Sequence, residues 1–488
     1  MARDVPPSHF AGGDTNTQVE GVAEADIVKT DGTTVYALRG QTLRVVASAA
    51  GGAGGAETGV LTFDTYPSEM LLRRGRLVVI SSTCGDALLP GSIPARPNEP
   101  HQGPLTLVYT VDVRDGQSPR LLSTTRLQGS YVSSRSVGGV VRLVLASEPP
   151  ARLPFTAPGE RSRPGRFVPR LSEAQAEAAN KAMVAATTLG DWFPRFRTIP
   201  GEGVRGGITS GYVATCARTF RPAAFAGYSL LLILTLPLAA DAPSTSLGRG
   251  TAIFAGGQTV YSSIGKISAL RRAGGADAAT PPTPLERVGG VGDLGRGERI
   301  YTVRYIGAIA YVVTFRQVDP LYVISLAVPT APVATWELKI PGFSSYLHPL
   351  GDGLLLGVGQ DATPTGRTTG VKVSLFDVSD VRAPREVATW AEPDFASSSN
   401  VQWDHRAFLY WAPTRLAVLP VTSFGRGAFI GSVVLSLGET TITEAGRITH
   451  PPWGHEGERR RGDGRGERID RNLVLGRQWL WSLSNSRF

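Results

Sequence analysis

Ten polar residues stand out because their side chains could bind a ligand or take part in acid–base chemistry. They are Tyr131, Arg135, Glu298, Arg299, Arg316, Gln317, Asp319, Tyr346, His348 and Asp404. His348 and the adjacent Asp404–His405 pair could supply a general base, and Glu298 a general acid. Neighbouring residues of a regular strand point to opposite faces, which argues against Asp404 and His405 acting together. The structural alternative is that these side chains hydrogen-bond neighbouring repeats to one another.

Sequence motifs of known catalytic and cofactor sites are missing. No GxSxG surrounds a serine, no HExxH is present, and no GxGxxG joins a strand to a helix. His450, His455 and Glu456 could bind a metal, but they lie in or beside a charged, glycine-rich stretch that is typical of a mobile loop. We therefore expect no cofactor and no metal.

The net charge of +9 could indicate a nucleic-acid partner, but the distribution of arginine argues against it. Lysine occurs five times among 50 basic residues, so 50 − 5 leaves 45 arginines, which are scattered apart from the run Arg459–Arg461. We expect no nucleic-acid partner.

The longest apolar run, residues 228–242, is interrupted by Pro237 and is too short to span a bilayer. We expect this run to form a buried strand, and the chain to have no transmembrane segment.

Two strand patterns recur along the chain. In one, two strands flank a turn that contains Pro119, Pro332 or Pro384, with a looser copy at Pro243. Aspartates precede the first and third of these prolines, as Asp112 with Asp115 and Asp377 with Asp380. Aspartate accepts hydrogen bonds from its own backbone and proline fixes φ, so both residues favour a turn. In the other pattern, an alternating strand, a glycine turn and a more apolar strand follow one another, as in residues 68–82, 130–147, 299–315 and 345–359.

The two patterns together make a four-stranded unit of about 45–55 residues, which is the size of one propeller blade. The sequence therefore predicts an all-β fold, a single closed β-propeller of seven or eight four-stranded blades. We assign residues 1–14 to a leader or tail and residues 15–488 to the propeller. Insertions are expected at about 84–104, 148–210 and 450–468, and the last of these is expected to be a mobile loop. The middle insertion contains a predicted helix from Ser172 to about Gly190, docked through Ala179, Met183 and Ala186.

Several long segments resemble a family of bacterial and archaeal secreted proteins with a C-terminal β-propeller distantly related to WD40 repeats. These segments include TNTQVEGVAEADIVKTDG (15–32), GERIYTVRYIGAIAYVVTFRQVDPLYVISL (297–326), ELKIPGFSSYLHPLGDG (337–353) and WDHRAFL (403–409). The resemblance runs from about Thr15 to Ser484. It places most of the candidate residues near the start of successive blades, where propellers bind ligands, and Arg316, Gln317 and Asp319 in the turn after a middle strand. It implies no particular reaction, ligand or catalytic residue.

The resemblance also implies an extracellular or cell-envelope location, although no signal peptide is visible at the start of the chain. An exported protein with a single cysteine pair favours a disulfide between Cys84 and Cys216. We hypothesise a monomeric binding or scaffold module for an envelope protein, peptide or glycan. The alternatives are an enzyme that cleaves envelope polysaccharide or peptide at the mouth of the central channel, and a purely structural partner in an envelope complex.

Overall fold

The computed structural model describes residues 17, 22–48, 55–84, 103–148, 155–158, 171–221, 227–237, 250–255, 267–272, 285–295, 298–315, 319–363, 365–392, 396–424, 428–450, 468–475 and 479–484. The chain divides into two compact units. The N-terminal unit is Gln18–Val260, and the C-terminal unit is Tyr261–Phe488 with Met1–Thr17.

The N-terminal unit contains sixteen described strands and two described helices. The strands are β1 (Ala23–Glu24), β2 (Val28–Thr30), β3 (Thr34–Arg39), β4 (Thr42–Ser48), β5 (Gly55–Thr62), β6 (Pro67–Arg73), β7 (Arg76–Cys84), β8 (Pro104–Asp112), β9 (Arg120–Gln128), β10 (Ser130–Val137), β11 (Val140–Ser147), β12 (Arg195–Pro200), β13 (Thr209–Tyr212), β14 (Ala214–Phe220), β15 (Ser229–Pro237) and β16 (Gly250–Ala255). The helices are α1 (Glu173–Ala185) and α2 (Leu189–Trp192).

The C-terminal unit contains sixteen further described strands. They are β17 (Ile267–Arg272), β18 (Leu285–Val291), β19 (Arg299–Ile306), β20 (Ile309–Phe315), β21 (Asp319–Ser325), β22 (Val333–Ile340), β23 (Phe343–Gly351), β24 (Leu354–Ala362), β25 (Thr368–Asp377), β26 (Arg385–Ala391), β27 (Leu409–Trp411), β28 (Leu416–Thr422), β29 (Ile430–Leu437), β30 (Ile442–Ile448), β31 (Ile469–Leu475) and β32 (Trp479–Ser484). Three 3₁₀ helices, Asn400–Gln402, His405–Ala407 and Ala412–Thr414, flank β27.

Six of the eight sheets in the described residues contain an antiparallel four-stranded meander. The meanders are β2–β5, β6–β9 and β10–β11–β15–β16 in the N-terminal unit, and β19–β22, β23–β26 and β27–β30 in the C-terminal unit. The other two sheets are the hairpins β17–β18 and β31–β32. The all-β fold predicted from the sequence is confirmed, and the apolar run at 228–242 contains β15, which pairs with both β11 and β16.

Successive sheets of each unit pack face to face through alternating side chains. In β7, Leu77 and Val79 pack with the sheet of β2–β5, while Val78 and Ile80 pack with the sheet of β10–β11. In β24, Leu355 faces one neighbouring sheet and Leu356 the other. Both faces of these strands are buried, because neighbouring side chains of a strand point in opposite directions. This packing explains why the second strand of each repeat is more apolar than the first.

The aspartate–proline turns form as the sequence predicts. The Oδ1 atom of Asp115 accepts a hydrogen bond from the backbone N–H of Gln117 at 3.0 Å. In the third copy, Oδ1 of Asp380 accepts from the N–H of Arg382 at 2.9 Å. The turn at Pro243 lies outside the described residues.

The middle insertion differs from its prediction in two respects. Helix α1 begins at the predicted N-cap Ser172 but ends at Ala185, because Thr188 begins the separate helix α2, in which Gly190 lies. Its docked side is marked by Ala176, the one fully buried residue of the helix, while Ala179 and Ala186 are exposed. The insertion also adds strands β12 and β13 to the sheet of β6–β9. The stretch 451–467, which makes up almost all of the predicted mobile loop, lies outside the described residues.

Candidate functional site

Two of the predicted residues, Tyr346 and His348, meet in a buried cluster of rings in the C-terminal unit. They are two residues apart on β23, and the Tyr346 hydroxyl lies 2.9 Å from His348 Nδ1. The ring of Phe408 lies 5.5 Å from that of Tyr346 and 5.1 Å from that of His348. Tyr410 packs edge-on against His348 at 5.4 Å. The cluster therefore joins the first strand of one sheet, β23, to the segment that begins the next.

His348 is held as a neutral imidazole. Its side chain is almost completely buried, with 3% exposed, and Nε2 has no hydrogen-bond partner in the part of the chain that the structure describes. Burial, together with the nearby positive charge of Arg304, lowers the pKa of His348 to about 3. An imidazole with that pKa is a weak base at neutral pH, so the structure gives no support to His348 as a general base.

Asp404 lies in a tight turn, whereas its sequence prediction considered a strand. It is the N-cap of the 3₁₀ helix His405–Ala407, and its Oδ1 accepts from the N–H of Arg406 at 3.2 Å. In this conformation, Asp404 pairs with arginines while His405 stacks on Tyr346, with ring centroids 6.2 Å apart. The strand argument against the Asp404–His405 pair therefore does not apply, yet the two side chains have different partners.

Two guanidinium groups hold the carboxylate of Asp404. Arg471 on β31, only 5% exposed, donates from Nη2 to Oδ2 at 2.6 Å, and Arg406 donates from Nε to Oδ1 at 2.8 Å. Burial alone would raise the pKa of Asp404, but the charges of Arg471 and Arg406 outweigh it and keep that pKa below its ordinary value. Asp404 is therefore ionised at neutral pH, and both of its oxygens accept hydrogen bonds from arginine.

The surface beside this network carries Trp403, whose side chain is 69% exposed. We call residues 403–406 the Trp403 loop. Trp403 and Arg471 were not among the predicted site residues. The first could have been found as a tryptophan in a polar turn, and the second as a charged residue within the apolar strand RNLVL (471–475). An exposed ring on a rigid, ion-paired turn is suited to binding.

The other predicted residues of the C-terminal unit do not join this cluster among the contacts that the structure describes. Glu298 Oε2 accepts from the Thr314 hydroxyl at 2.5 Å, immediately before β19. Arg299 and Asp319 begin β19 and β21, but their side chains lie outside the description. Arg316 and Gln317 lie outside the described residues.

Tyr131 and Arg135 lie on β10 of the N-terminal unit and make internal contacts. Arg135 pairs with the buried Glu24 at 3.4 Å, and the Tyr131 hydroxyl donates to Glu69 at 2.6 Å. Residues 23–30, which we call the 23–30 segment, connect three sheets: β1 pairs with β10, the backbone of Asp26 bonds to Met70 on β6, and β2 pairs with β3. These contacts fit the structural alternative for Tyr131 and Arg135, and a binding role for them stays a prediction.

The predicted disulfide is not formed. Cys84 ends β7 and Cys216 lies on β14, strands of two different sheets, and both carry exposed free thiols.

No three described His, Cys, Asp or Glu residues are grouped so as to hold a metal ion. His450 is buried, with its ring nitrogens 2.6 Å and 2.8 Å from the hydroxyls of Ser482 and Ser484. Its proposed metal-binding companions, His455 and Glu456, lie outside the described residues. Among the described helices, none is long and apolar enough to cross a membrane.

Comparison with known proteins places the chain in a family. An uncharacterized protein of Methanocaldococcus jannaschii is 42% identical over 134 residues, 26% of this chain and 21% of that protein. An uncharacterized protein of Archaeoglobus fulgidus is 41% identical over 141 residues, 29% of this chain and 22% of that protein. The chain thus spans about a fifth of the length of these relatives.

Among solved structures, Pyrococcus horikoshii acylaminoacyl peptidase aligns with 84% of this chain and 52% of its own, at 10% identity and a TM-score of 0.26. A likeness at that score carries no argument about fold or activity. The family model described as Beta propeller domain matches residues 13–274 and 282–488. Since this match covers nearly the whole chain, the protein belongs to the Beta propeller domain family.

Proposed function

We propose that this chain is a secreted or envelope-attached binding module that holds an envelope protein, peptide or glycan at the Trp403 loop. The observation that carries the proposal is the exposed indole of Trp403, which stands on a turn fixed by Asp404, Arg406 and the buried Arg471. A rigid aromatic side chain loses little conformational entropy when a ligand packs against it, so it can act as an anchor for binding.

The same geometry favours binding over cleavage. A general base needs a pKa near the working pH, whereas burial and Arg304 lower the pKa of His348 to about 3. Asp404 is ionised, but both its oxygens accept hydrogen bonds from Arg406 and Arg471. Neither group is therefore well placed to take a proton from a substrate or a water molecule.

We also propose how the sheets are arranged in the whole chain. The eight sheets belong to a closed ring of seven or eight blades. Some of these blades are only partly within the described residues. The ring is distantly related to WD40 repeats. Face-to-face packing of successive sheets within each unit supports this arrangement. In a full-length protein, the ring would form the C-terminal domain. It would act as a monomer and would lie outside the cytoplasm. Recovery of the native protein from the cytosolic fraction of its cells would contradict this location.

The test compares wild type with Trp403→Ala and with Trp336→Ala, a control on β22 whose indole is also exposed, at 44%. Each protein is incubated with fractionated envelope glycans and peptides, and mass spectrometry records both retention and new products. We expect one fraction to be retained unchanged by wild type and by the Trp336 variant. Affinity should fall about 10-fold or more in the Trp403 variant, which is the effect of losing an aromatic anchor. Equal retention by all three proteins would remove the Trp403 loop as the site, and new cleavage products would establish the enzymatic alternative.

A further inference from the structure

The two most exposed large hydrophobic side chains among the described residues lie in connections of the same kind. They are Tyr66, which is 71% exposed, and Trp403, which is 69% exposed. Tyr66 lies between β5 and β6, and Trp403 between β26 and β27, so each follows the last strand of one meander and precedes the first strand of the next. The corresponding connections at Gly129, between β9 and β10, and at residues 341–342, between β22 and β23, are only one and two residues long. The two longer connections are therefore the ones that carry an exposed aromatic ring.

We call residues 63–66 the Tyr66 loop. We propose that this loop is a second binding site of the chain, and that it takes the same ligand class as the Trp403 loop, a neutral glycan whose sugar rings pack on the exposed aromatic rings. This inference rests on the proposed function, since it takes the Trp403 loop as the first site. Three features carry it: the way the Tyr66 loop is fixed, its likeness to the Trp403 loop, and the pairing of every charge in both loops.

Buried groups fix the backbone on which Tyr66 stands. The Ser81 hydroxyl donates to the backbone carbonyl of Tyr66 at 2.8 Å. The hydroxyl of Thr65, which is buried, lies 2.8 Å from that of Ser81 and 2.7 Å from that of Tyr109. Phe63, at the start of the loop, is 5% exposed and packs on Tyr109 with ring centroids 4.7 Å apart. The exposed ring therefore stands on a fixed support, and little conformational entropy is lost when a ligand packs against it.

A carboxylate and a buried arginine also fix the Tyr66 loop, as they fix the Trp403 loop. The Tyr109 hydroxyl donates to Oδ1 of Asp64, and Nη2 of Arg126 lies 3.9 Å from Oδ2 of Asp64. Burial and the hydrogen bond to Asp64 raise the pKa of Tyr109, so its hydroxyl stays protonated as a donor. The side chain of Arg126 is 5% exposed, as is that of Arg471 in its pair with Asp404. Both loops thus combine an exposed ring, a nearby carboxylate and a buried arginine from a distant part of the chain.

The charges of the two loops are paired within the chain, which favours a neutral ligand. Asp64, the one charged residue of the Tyr66 loop, faces Arg126. In the Trp403 loop, Asp404 binds both Arg406 and Arg471. An acidic or basic ligand would have to compete with one of these pairs, whereas a neutral ligand leaves them intact.

A glycan suits these rings better than a peptide does. The anchoring side chain of a peptide gains most by entering an apolar pocket, whereas Tyr66 and Trp403 are themselves largely exposed and offer flat ring faces. One face of a pyranose ring is lined by C–H groups, and it packs on an aromatic ring without burying a polar group unpaired. A glycan repeats such rings along its length, so two sites of like construction indicate a ligand with repeated sugar rings.

The experiment titrates the full chain by calorimetry with the neutral hexasaccharides of cellulose, xylan, mannan and chitin. The variants are Tyr66→Ala, Trp403→Ala, the double variant and Tyr66→Phe, which keeps the ring. The control is Tyr305→Ala, which removes a tyrosine that is 58% exposed but lies within strand β19, and circular dichroism checks that each variant is folded. We expect two molecules of at least one hexasaccharide to bind per chain in wild type, Tyr66→Phe and Tyr305→Ala. Each single alanine variant of the two loops should weaken one site by about 10-fold or more, and the double variant should weaken both.

The outcomes separate this inference from the proposed function. If Tyr66→Ala binds as wild type does while Trp403→Ala loses binding, the second site is wrong and the proposed function stands. If Tyr66→Ala loses a site and Trp403→Ala loses none, the Tyr66 loop is supported and the Trp403 loop is not a site. If none of the hexasaccharides binds, the inference is overturned, and the envelope-fraction experiment decides the proposed function separately. A peptide retained in that experiment through Trp403 would show that the glycan assignment is wrong.

Discussion

Asp404→Asn tests whether the ion pair with buried Arg471 fixes the Trp403 loop. Asparagine keeps the side-chain oxygen that caps the 3₁₀ helix, so the substitution removes mainly the charge. The chain offers a matched control in Asp377, which also caps a turn, through Ser379, and pairs with an arginine at 2.8 Å. The partner of Asp377 is Arg385, which is 71% exposed, whereas Arg471 is 5% exposed.

The expected magnitudes differ because of this burial. Removing one partner of a buried ion pair costs about 3–5 kcal/mol, since the remaining charge is left without compensation. Asp404 itself retains 24% exposure, so we expect the lower part of that range, about 3 kcal/mol, for Asp404→Asn. Exposed pairs contribute about 0.2–1 kcal/mol, so Asp377→Asn should cost less than about 1 kcal/mol.

Thermal unfolding followed by calorimetry and circular dichroism measures the difference. The unfolding entropy is about 2.1 cal/mol/K per residue, so one kcal/mol corresponds to about 1 °C for a cooperative unit of 488 residues, and Tm should fall by about 3 °C in Asp404→Asn and by less than about 1 °C in Asp377→Asn. The pKa of Asp404 lies below its ordinary value of 3.8. The stabilisation is therefore fully present above that value, and it is lost as pH falls through the lower pKa of the folded state, so the two proteins should converge in acid. Equal Tm values for Asp404→Asn and Asp377→Asn at neutral pH would refute the reasoning.

Three further predictions follow from the described residues. The pKa of His348 is about 3 in the folded protein, well below its ordinary value of 6.5. As pH falls, the unfolded chain therefore takes up a proton on His348 at a higher pH than the folded chain does. The free energy of unfolding should fall by up to about 1.4 kcal/mol per pH unit as pH drops from about 6 towards 3. Denaturant titrations should show that this free energy depends less steeply on pH in His348→Gln. Gly359→Ala should sharply lower Tm because a Cβ at that position meets the backbone of the neighbouring strand, while Gly446→Ala, where the space is open, should cost no more than about 0.5 kcal/mol and change Tm by less than about 1 °C. Cys84 and Cys216 should both be alkylated in the native, unreduced protein, and mass spectrometry that found either one unmodified would contradict this prediction.

Sequence patterns predicted the repeated hairpins well because both strands of a hairpin are local. The pattern at 130–147 corresponds to β10 (Ser130–Val137) and β11 (Val140–Ser147), with the turn at the predicted glycines. The aspartate–proline turns and the N-cap Ser172 were likewise found, because each depends on residues within a few positions of one another. Tyr346 and His348 were singled out together, and their spacing of two residues places both on one side of β23.

The elements that were missed depend on contacts distant in sequence. Strand β12 joins the sheet of β6–β9 by pairing with β9, about 70 residues earlier, and nothing local indicates that pairing. Asp404 meets Arg471 across a separation of 67 residues, so the role of Arg471 could not be read from its own segment. The disulfide was predicted from the single cysteine pair and the resemblance to exported proteins, neither of which indicates how far apart the two thiols lie in the fold.

Two arginine–carboxylate pairs, one in each unit, differ in what surrounds them. Arg135 on β10 meets the buried carboxylate of Glu24 on β1, the neighbouring strand at the edge of the same sheet. Arg471 on β31 meets the carboxylate of Asp404, in the turn beside the exposed Trp403. Each pair neutralises its arginine within the chain, so the fold itself accounts for both charges. The exposed indole of Trp403 beside the second pair is the physical reason for seeking the binding site at the Trp403 loop, while a binding role for Tyr131 and Arg135 stays a prediction.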